Sequence, residues 1–276
     1  MDRGIAYYVA VNWIIVFFYV VATIANVYGL VFGNEKMERR SFRPVACGFV
    51  IHTTSIILWW RMVGHGPYMA PSEVLSSVSW FSIVMFFLFL LVYPRLRPVS
   101  IFVFPSAFLM LAIANFYNPG IRTLPPTFGG VWLVFHIAFY KIALGTLIIA
   151  VAFSVFYLMK GRGSQVAWLQ RLPELSVIDL YAYRFAGFGF IFWAIAMLAG
   201  SIWAYKSWGR YWGWDPVETW SLITWLFFGV YLHLRRFFRW NGSRAAWFFV
   251  FCFIMSLISY FVTSHMGSSV HAEYFR

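Results

Sequence analysis

Apolar residues in this chain gather into long blocks, and short clusters of charged and turn-forming residues separate them. Eight blocks can be drawn, over residues 5–33, 43–63, 74–93, 99–116, 129–159, 184–205, 217–238 and 244–263. A helix of about 20 mostly apolar residues is long enough to cross the hydrocarbon of a bilayer. The pattern therefore predicts an all-α protein, a polytopic integral membrane bundle of about eight transmembrane helices forming one domain over residues 1–276. The fifth block is long enough to extend beyond the bilayer. Residues 160–183, KGRGSQVAWLQRLPELSVIDLYAY, form the longest polar connection, and their Leu and Trp spacing suits a short interfacial helix. The first block is too long for a signal-peptide core and has no basic n-region, so it reads as a retained helix.

Composition agrees with this reading. The chain is 62% hydrophobic and 11% charged, where a soluble domain carries roughly a quarter of its residues as charges. The net charge of +12 raises nucleic-acid binding, but the cations sit in a few short loops and not in a patch. Lys36, Arg39, Arg40, Arg43, Arg95, Arg97, Lys160, Arg162, Arg171, Arg184, Arg235, Arg236, Arg239 and Arg244 follow the odd-numbered blocks. The opposite loops and ends hold only Arg3, Arg61, Arg122, Lys206, Arg210 and Arg276. The positive-inside rule then places both termini on the non-cytoplasmic side. Cys47 and Cys252 lie inside apolar blocks and form no C-x-x-C, which leaves no dithiol centre, zinc knuckle or C-x-x-C-H haem attachment site. Both are read as packing residues.

One segment breaks the pattern. WGRYWGWDPVETW, residues 208–220, holds Trp208, Trp212, Trp214 and Trp220, with Trp225 just beyond. Asp215-Pro216-Val217-Glu218 has the form of a helix start, with an N-cap, Pro at the first position and a capping-box Glu. Tryptophans also favour the membrane interface. That pair of facts can stand alone as the explanation. Against it weighs density, because a belt needs only one or two tryptophans per helix end. Glycines admit close backbone approach and indoles offer broad flat contact. With Arg210 and Lys206 at the same edge, the segment suits a planar apolar molecule with acidic edges, a description that haem fits.

Haem iron takes axial ligands, commonly neutral imidazole. His136 enters the fifth block from the outer side, and His271 lies in the outer tail, so both share the face of the Trp-rich segment. His52 and His233 lie at membrane depth, where a polar side chain is expensive and usually functional. A structural, hydrogen-bonded histidine is the alternative for each. His65 and His265 stay unassigned, and Lys141, inside the fifth block, has no decisive role.

The run WGRYWGWDPVETWSLITW, continuing to YLHLR, resembles the tryptophan-rich WWD signature of haem-handling proteins. Within that group it is most similar to the CcsA (ResC) family of System II cytochrome c assembly. WLVFHIAFYKIALG resembles the histidine-bearing helix upstream of that signature, HTTSIILWWRMVGHGPYMAPSEVLSSVSW the family's second-helix and outer-loop region, and VHAEYF its tail. Arg210, Gly213 and Val217 stand where the family's usual run has Ser, Ser and Lys, and the tail around His271 departs further. The resemblance implies that His136 and His271 ligate haem iron on the outer face beside Trp208, Trp212, Trp214 and Asp215. It implies that His233 ligates haem within the membrane, with His52 or a CcsB-type membrane subunit as partner; Arg210, one of the departures, is compatible with a propionate contact. Haem b is then a bound substrate carried outward and attached to the C-x-x-C-H motif of apocytochrome c, this chain being part of a holocytochrome c synthase. Thiol-reducing proteins are further possible partners, the bilayer is the surroundings, and nucleic acid is not expected. The expected location is a bacterial inner membrane, or a thylakoid in a plastid, with segment 206–220 and the C-terminus outside. Two alternatives are a haem exporter that hands its cargo to a chaperone and a membrane cytochrome b subunit that passes electrons to quinone.

Overall fold

The computed structural model describes residues 2–117, 119–121, 124–163 and 167–263. In chain order its helices are α1 (Asp2–Val31), α2 (Glu35–Arg40), α3 (Phe42–Val63), α4 (Pro71–Val92), α5 (Ser100–Ala114), α6 (Val131–Gly161), α7 (Ala167–Gln170), α8 (Leu175–Trp208), α9 (Pro216–Phe237) and α10 (Gly242–Thr263). Tight 3-10 turns occupy Pro94–Val99 and Pro126–Phe128, and no strand occurs among the described residues. Each of the eight apolar blocks contains a long helix. Among the described residues, seven stretches are long and apolar enough to cross a membrane, the α2–α3 pair counting as one. The helix outside that set, α9, has 22 residues, with tryptophan, hydroxyl and basic side chains interspersed among its aliphatic ones. In the connection 160–183 the short helix is α7, and α8 begins already at Leu175, ahead of the predicted block.

Local chemistry explains the ends. Asn34 accepts a hydrogen bond from the Met37 amide to start α2, as N-cap side chains do. Gly64 closes α3 and Gly209 closes α8 with left-handed φ angles of 80° and 73°, a conformation that costs glycine least. Proline opens α4 and α9 at the first position, where its missing N–H removes no helical bond.

The contacts collect into two compact units, residues 1–124 with 165–172, and residues 125–164 with 173–276. In the first unit, α1 carries Asn12, Tyr19 and Asn26 at seven-residue spacing, all buried. Each finds a partner on another helix or turn. Ser55 donates to Asn12 at 3.3 Å, Tyr19 meets His52 Nδ1 at 3.1 Å, and Asn26 links Ser41 to Ser100 at 3.1 and 3.0 Å. His52 is fully buried, and its Nε2 lies 2.9 Å from Ser76 Oγ. From the first turn of α4, the Glu73 carboxylate accepts from Trp59 Nε1 and from the amides of Met69 and Ala70. Such interhelical bonds contribute modestly, about 0.6 kcal/mol on average in a membrane, but an unmade one inside hydrocarbon costs far more.

In the second unit α6 lies along α8. The buried face of α8 presents Ala182, Ala186, Gly189, Trp193, Ala196 and Gly200 at three- and four-residue spacing. Small side chains let helix backbones approach where water supplies no driving force. Gly189 shows the closeness, because a Cβ there would stand 2.5 Å from Leu147. At the opposite end of α8 from Gly209, Asp179 takes both guanidinium nitrogens of Arg235 at 2.7 Å and the Gly242 amide at 3.2 Å. One carboxylate thus ties α8, the last turn of α9 and the first residue of α10. Cys252 is buried in this unit, whereas Cys47, on α3 of the first, is exposed and fills no core position.

Removing Asp179 leaves the Arg235 guanidinium, only 8% exposed, without its counter-charge. Asp179→Ala is expected to destabilise the second unit by roughly 3–5 kcal/mol, and Asp179→Leu combined with Arg235→Met to recover most of it. Unfolding by denaturing detergent, followed by circular dichroism, measures both. Equal stability of Asp179→Ala and wild type would show that this pair does not hold the three helices.

Candidate functional site

The Trp-rich segment lies in the second unit, between the end of α8 and the start of α9. The helix start expected from the sequence is present in full. Asp215 Oδ1 accepts from the Val217 amide at 2.8 Å. Glu218 Oε2 accepts from the amides of Asp215 at 3.3 Å and Gly213 at 2.8 Å. The capping carboxylates therefore reach back to hold the loop as well as the helix.

On that frame the indoles take distinct positions. Trp214 is 71% exposed and has a left-handed φ of 56°, unusual for a bulky residue and a site of backbone strain. Trp212 meets it edge to face, with ring centres 6.0 Å apart at 84°, and its Nε1–H is buried without a hydrogen-bond partner. Trp208 packs edge-on against Trp203 at 4.8 Å. Trp203 is anchored in turn, its Nε1 donating to the Thr127 carbonyl at 2.7 Å, and Ser207 donates to the same oxygen at 3.0 Å. The Arg210 guanidinium folds over Gly213, where a Cβ would stand 2.6 Å from Cζ.

His136, on the second turn of α6, connects to this group. Its Nδ1 lies 2.8 Å from the Ala196 carbonyl. A carbonyl only accepts, so Nδ1 carries the proton and the lone pair belongs to Nε2, the arrangement that prepares an imidazole to ligate a metal. The ring lies nearly parallel to Trp203, at 15° with centres 6.4 Å apart. Gly200 makes the approach possible, because a Cβ there would meet Nδ1 at 2.5 Å. Trp203, Gly200 and Thr127 were not singled out from the sequence. The available signal was Ala196-x-x-x-Gly200 followed by Trp203, which marks a close helix approach beside an aromatic.

The remaining histidines lie elsewhere. His233 is exposed on α9, against Phe237 and Phe238, about 27 Å along the helix from Asp215 at 1.5 Å per residue. His52 belongs to the first unit, and both its ring nitrogens are taken by Tyr19 and Ser76. His65 is buried there, with Nδ1 at the Gly66 carbonyl. His271 and His265 lie outside the described residues. Lys141 is buried on α6, five residues beyond His136.

Comparisons with known proteins agree with one another. The family described as "Cytochrome C assembly protein" matches residues 82–271. A cytochrome c biogenesis protein CcsA from Chlamydomonas reinhardtii is 30% identical over 223 residues, which cover 79% of this chain and 63% of that protein. A CcsA from Prochlorococcus marinus (strain MIT 9215) is 26% identical over 291 residues, covering 96% of this chain and 94% of the relative. Among solved structures, a cytochrome c heme lyase CcmF aligns with a TM-score of 0.66 at 16% identity, over 99% of this chain and 48% of that one. That likeness concerns the fold. The chain thus spans just under two thirds of the algal relative and about half of the lyase.

The tautomer of His136 depends on the space left by Gly200. Gly200→Ala is expected to displace the imidazole from the Ala196 carbonyl and, as overpacking, to cost about 1–3 kcal/mol. Carbethoxylation of His136 by diethyl pyrocarbonate, read by mass spectrometry, should accelerate in the variant. An unchanged rate would show that Gly200 does not hold the ring.

Proposed function

The chain belongs to the cytochrome c assembly protein family, and from that premise we propose that it binds haem b and presents it for attachment to apocytochrome c. The observation that carries this reading is the His136 imidazole, held by Ala196 with its lone pair on Nε2 and packed against Trp203, which leads through Trp208 into the Trp-rich loop. The donor set fits the ligand. His136 suits iron, the exposed Trp214 face suits a porphyrin plane, and the unpartnered Trp212 Nε1–H suits an acceptor on the ligand.

In this mechanism His136 and His271 would hold the haem iron, and Trp208, Trp212 and Trp214 would support the macrocycle. Asp215 acts at a distance from the iron, through the cap that fixes the loop. Axial imidazoles would also bear on the iron potential. The bond-forming step is addition of a cysteine S–H across a haem vinyl group, with C–S and C–H bonds replacing S–H and the C=C π bond. It consumes no oxidant. The thiols arrive on the apocytochrome, kept reduced by other proteins, and holding two vinyls against two thiols is the main source of rate.

His233 is assigned to an earlier haem position within the membrane. Its exposure on α9 leaves it available to a ligand shared with a CcsB-type subunit. The positive-inside distribution supports an outer location for the Trp-rich loop and for both termini, in a bacterial cytoplasmic membrane or a thylakoid. The cytochrome b alternative draws no support from His52, whose two ring nitrogens are already hydrogen-bonded.

Optical spectra of the purified chain test the reading. Wild type, with or without its partner subunit, is expected to show a six-coordinate b-type spectrum after dithionite reduction. His136→Ala and His271→Ala should each convert the outer haem to a five-coordinate form or lose it, while His233→Ala lowers the amount loaded. A wild-type chain that carries no haem in either state would falsify the proposal.

A further inference from the structure

The loop between α8 and α9 contains one cation, Arg210. Its side chain is turned back along the loop, with Cζ, Nε and one terminal nitrogen all within 2.8 Å of where a Gly213 Cβ would stand. The acidic groups of the segment are engaged with backbone amides, Glu218 with Gly213 and Asp215, and Asp215 with Val217. Among the described residues Arg210 forms no ion pair. The neighbouring cation, Lys206, differs, because it stands in the last turn of α8, where the helix carbonyls themselves favour positive charge. Arg210 is therefore an exposed guanidinium lying against Gly213 without an acidic partner. Two residues away Trp212 offers a buried N–H that also lacks one.

We propose that Arg210, seated on Gly213, recognises a carboxylate at the acidic edge of the flat ligand, with the Trp212 N–H as a second donor. The proposal rests on the haem reading above and adds which edge of the macrocycle meets the protein. A guanidinium fork matches a carboxylate in a way that ammonium does not. Because the side chain is already folded onto the loop, less rotamer freedom is lost on binding. Holding the propionate edge also leaves the vinyl groups, on the far part of the ring, turned away from the loop and open to an incoming thiol.

The seat and the charge can be tested separately. The full chain in detergent is titrated with haemin and with haemin dimethyl ester, which keeps the iron and ring but has no ionised carboxylate. Wild type should bind the acid at least about tenfold tighter than the ester, the scale of one charge-assisted contact. Arg210→Ala should remove that preference by weakening the acid alone, and Arg210→Lys should retain part of it. Gly213→Ala keeps the charge but fills its seat. Gly213 does not have a left-handed φ, so alanine fits the backbone and only the flexible Arg210 tip must move. Loss of the preference in Gly213→Ala as well supports the seated arrangement, and its retention there overturns that part. An Arg210→Ala chain that keeps the preference, or weakens for acid and ester alike, overturns the carboxylate contact itself. Failure of wild type to bind either haemin strikes the haem reading, an outcome that needs no variant and is read apart from the others.

Discussion

The first amides of any helix have no partner within that helix, and in this protein the means of satisfying them organises the site. Asp215 takes the Val217 amide, and Glu218 reaches backward past the cap to the amides of Asp215 and Gly213. That backward reach makes the loop a fixed object. It holds Trp212 and Trp214 in place and supports the left-handed backbone of Trp214, which a loose loop would relax. A ligand arriving at a preordered aromatic surface loses less binding energy to ordering it. The capping and ligand-holding readings of this segment are therefore two consequences of one set of hydrogen bonds.

The same requirement, that polar groups away from water be satisfied by protein, governs the membrane-embedded part. The polar positions of α1 are matched by Ser55, His52, Ser41 and Ser100, and Arg235 by Asp179. His52 and His233 show how this separates histidines that both fall inside apolar blocks. The ring of His52 is saturated on both nitrogens and fully buried, which describes a group that holds helices together. His233 lies on an exposed flank against Phe237 and Phe238. Depth alone did not distinguish them.

Much of the fold was legible because membrane helices announce themselves by apolar length. All eight blocks contain a helix, and the cap at Asp215 was readable from Asp-Pro-Val-Glu. What escaped depends on contacts between helices. The early start of α8 was hidden by Asp179 and Arg184, charges that a hydropathy reading assigns to a loop. Asp179 is accommodated because its partner, Arg235, comes from α9, 56 positions later. The link from His136 to the Trp-rich loop was equally hidden. It runs through a backbone carbonyl at Ala196, the absent side chain of Gly200 and the edge of Trp203, none of which carries a recognisable pattern alone. His271 was singled out by its place in the outer tail and by the resemblance, and it lies outside the described residues.

The charge distribution around the loop bears on the kind of ligand it accepts. Two carboxylates within four residues would ordinarily repel an acidic ligand. Here both are turned onto amide donors at the positive end of α9, which offsets part of their charge. The nearest cation in the loop does not neutralise them, because Arg210 folds onto Gly213 instead. The acids fix the shape of the loop, and in the proposed arrangement the base is left for recognition. A segment of this composition arranged the other way, with Arg210 paired to Asp215 or Glu218, would lose both the cap and the cation. The small side chain at position 213 keeps the two functions apart, and it pairs with Arg210 as a unit: either substitution alone removes the reason for the other.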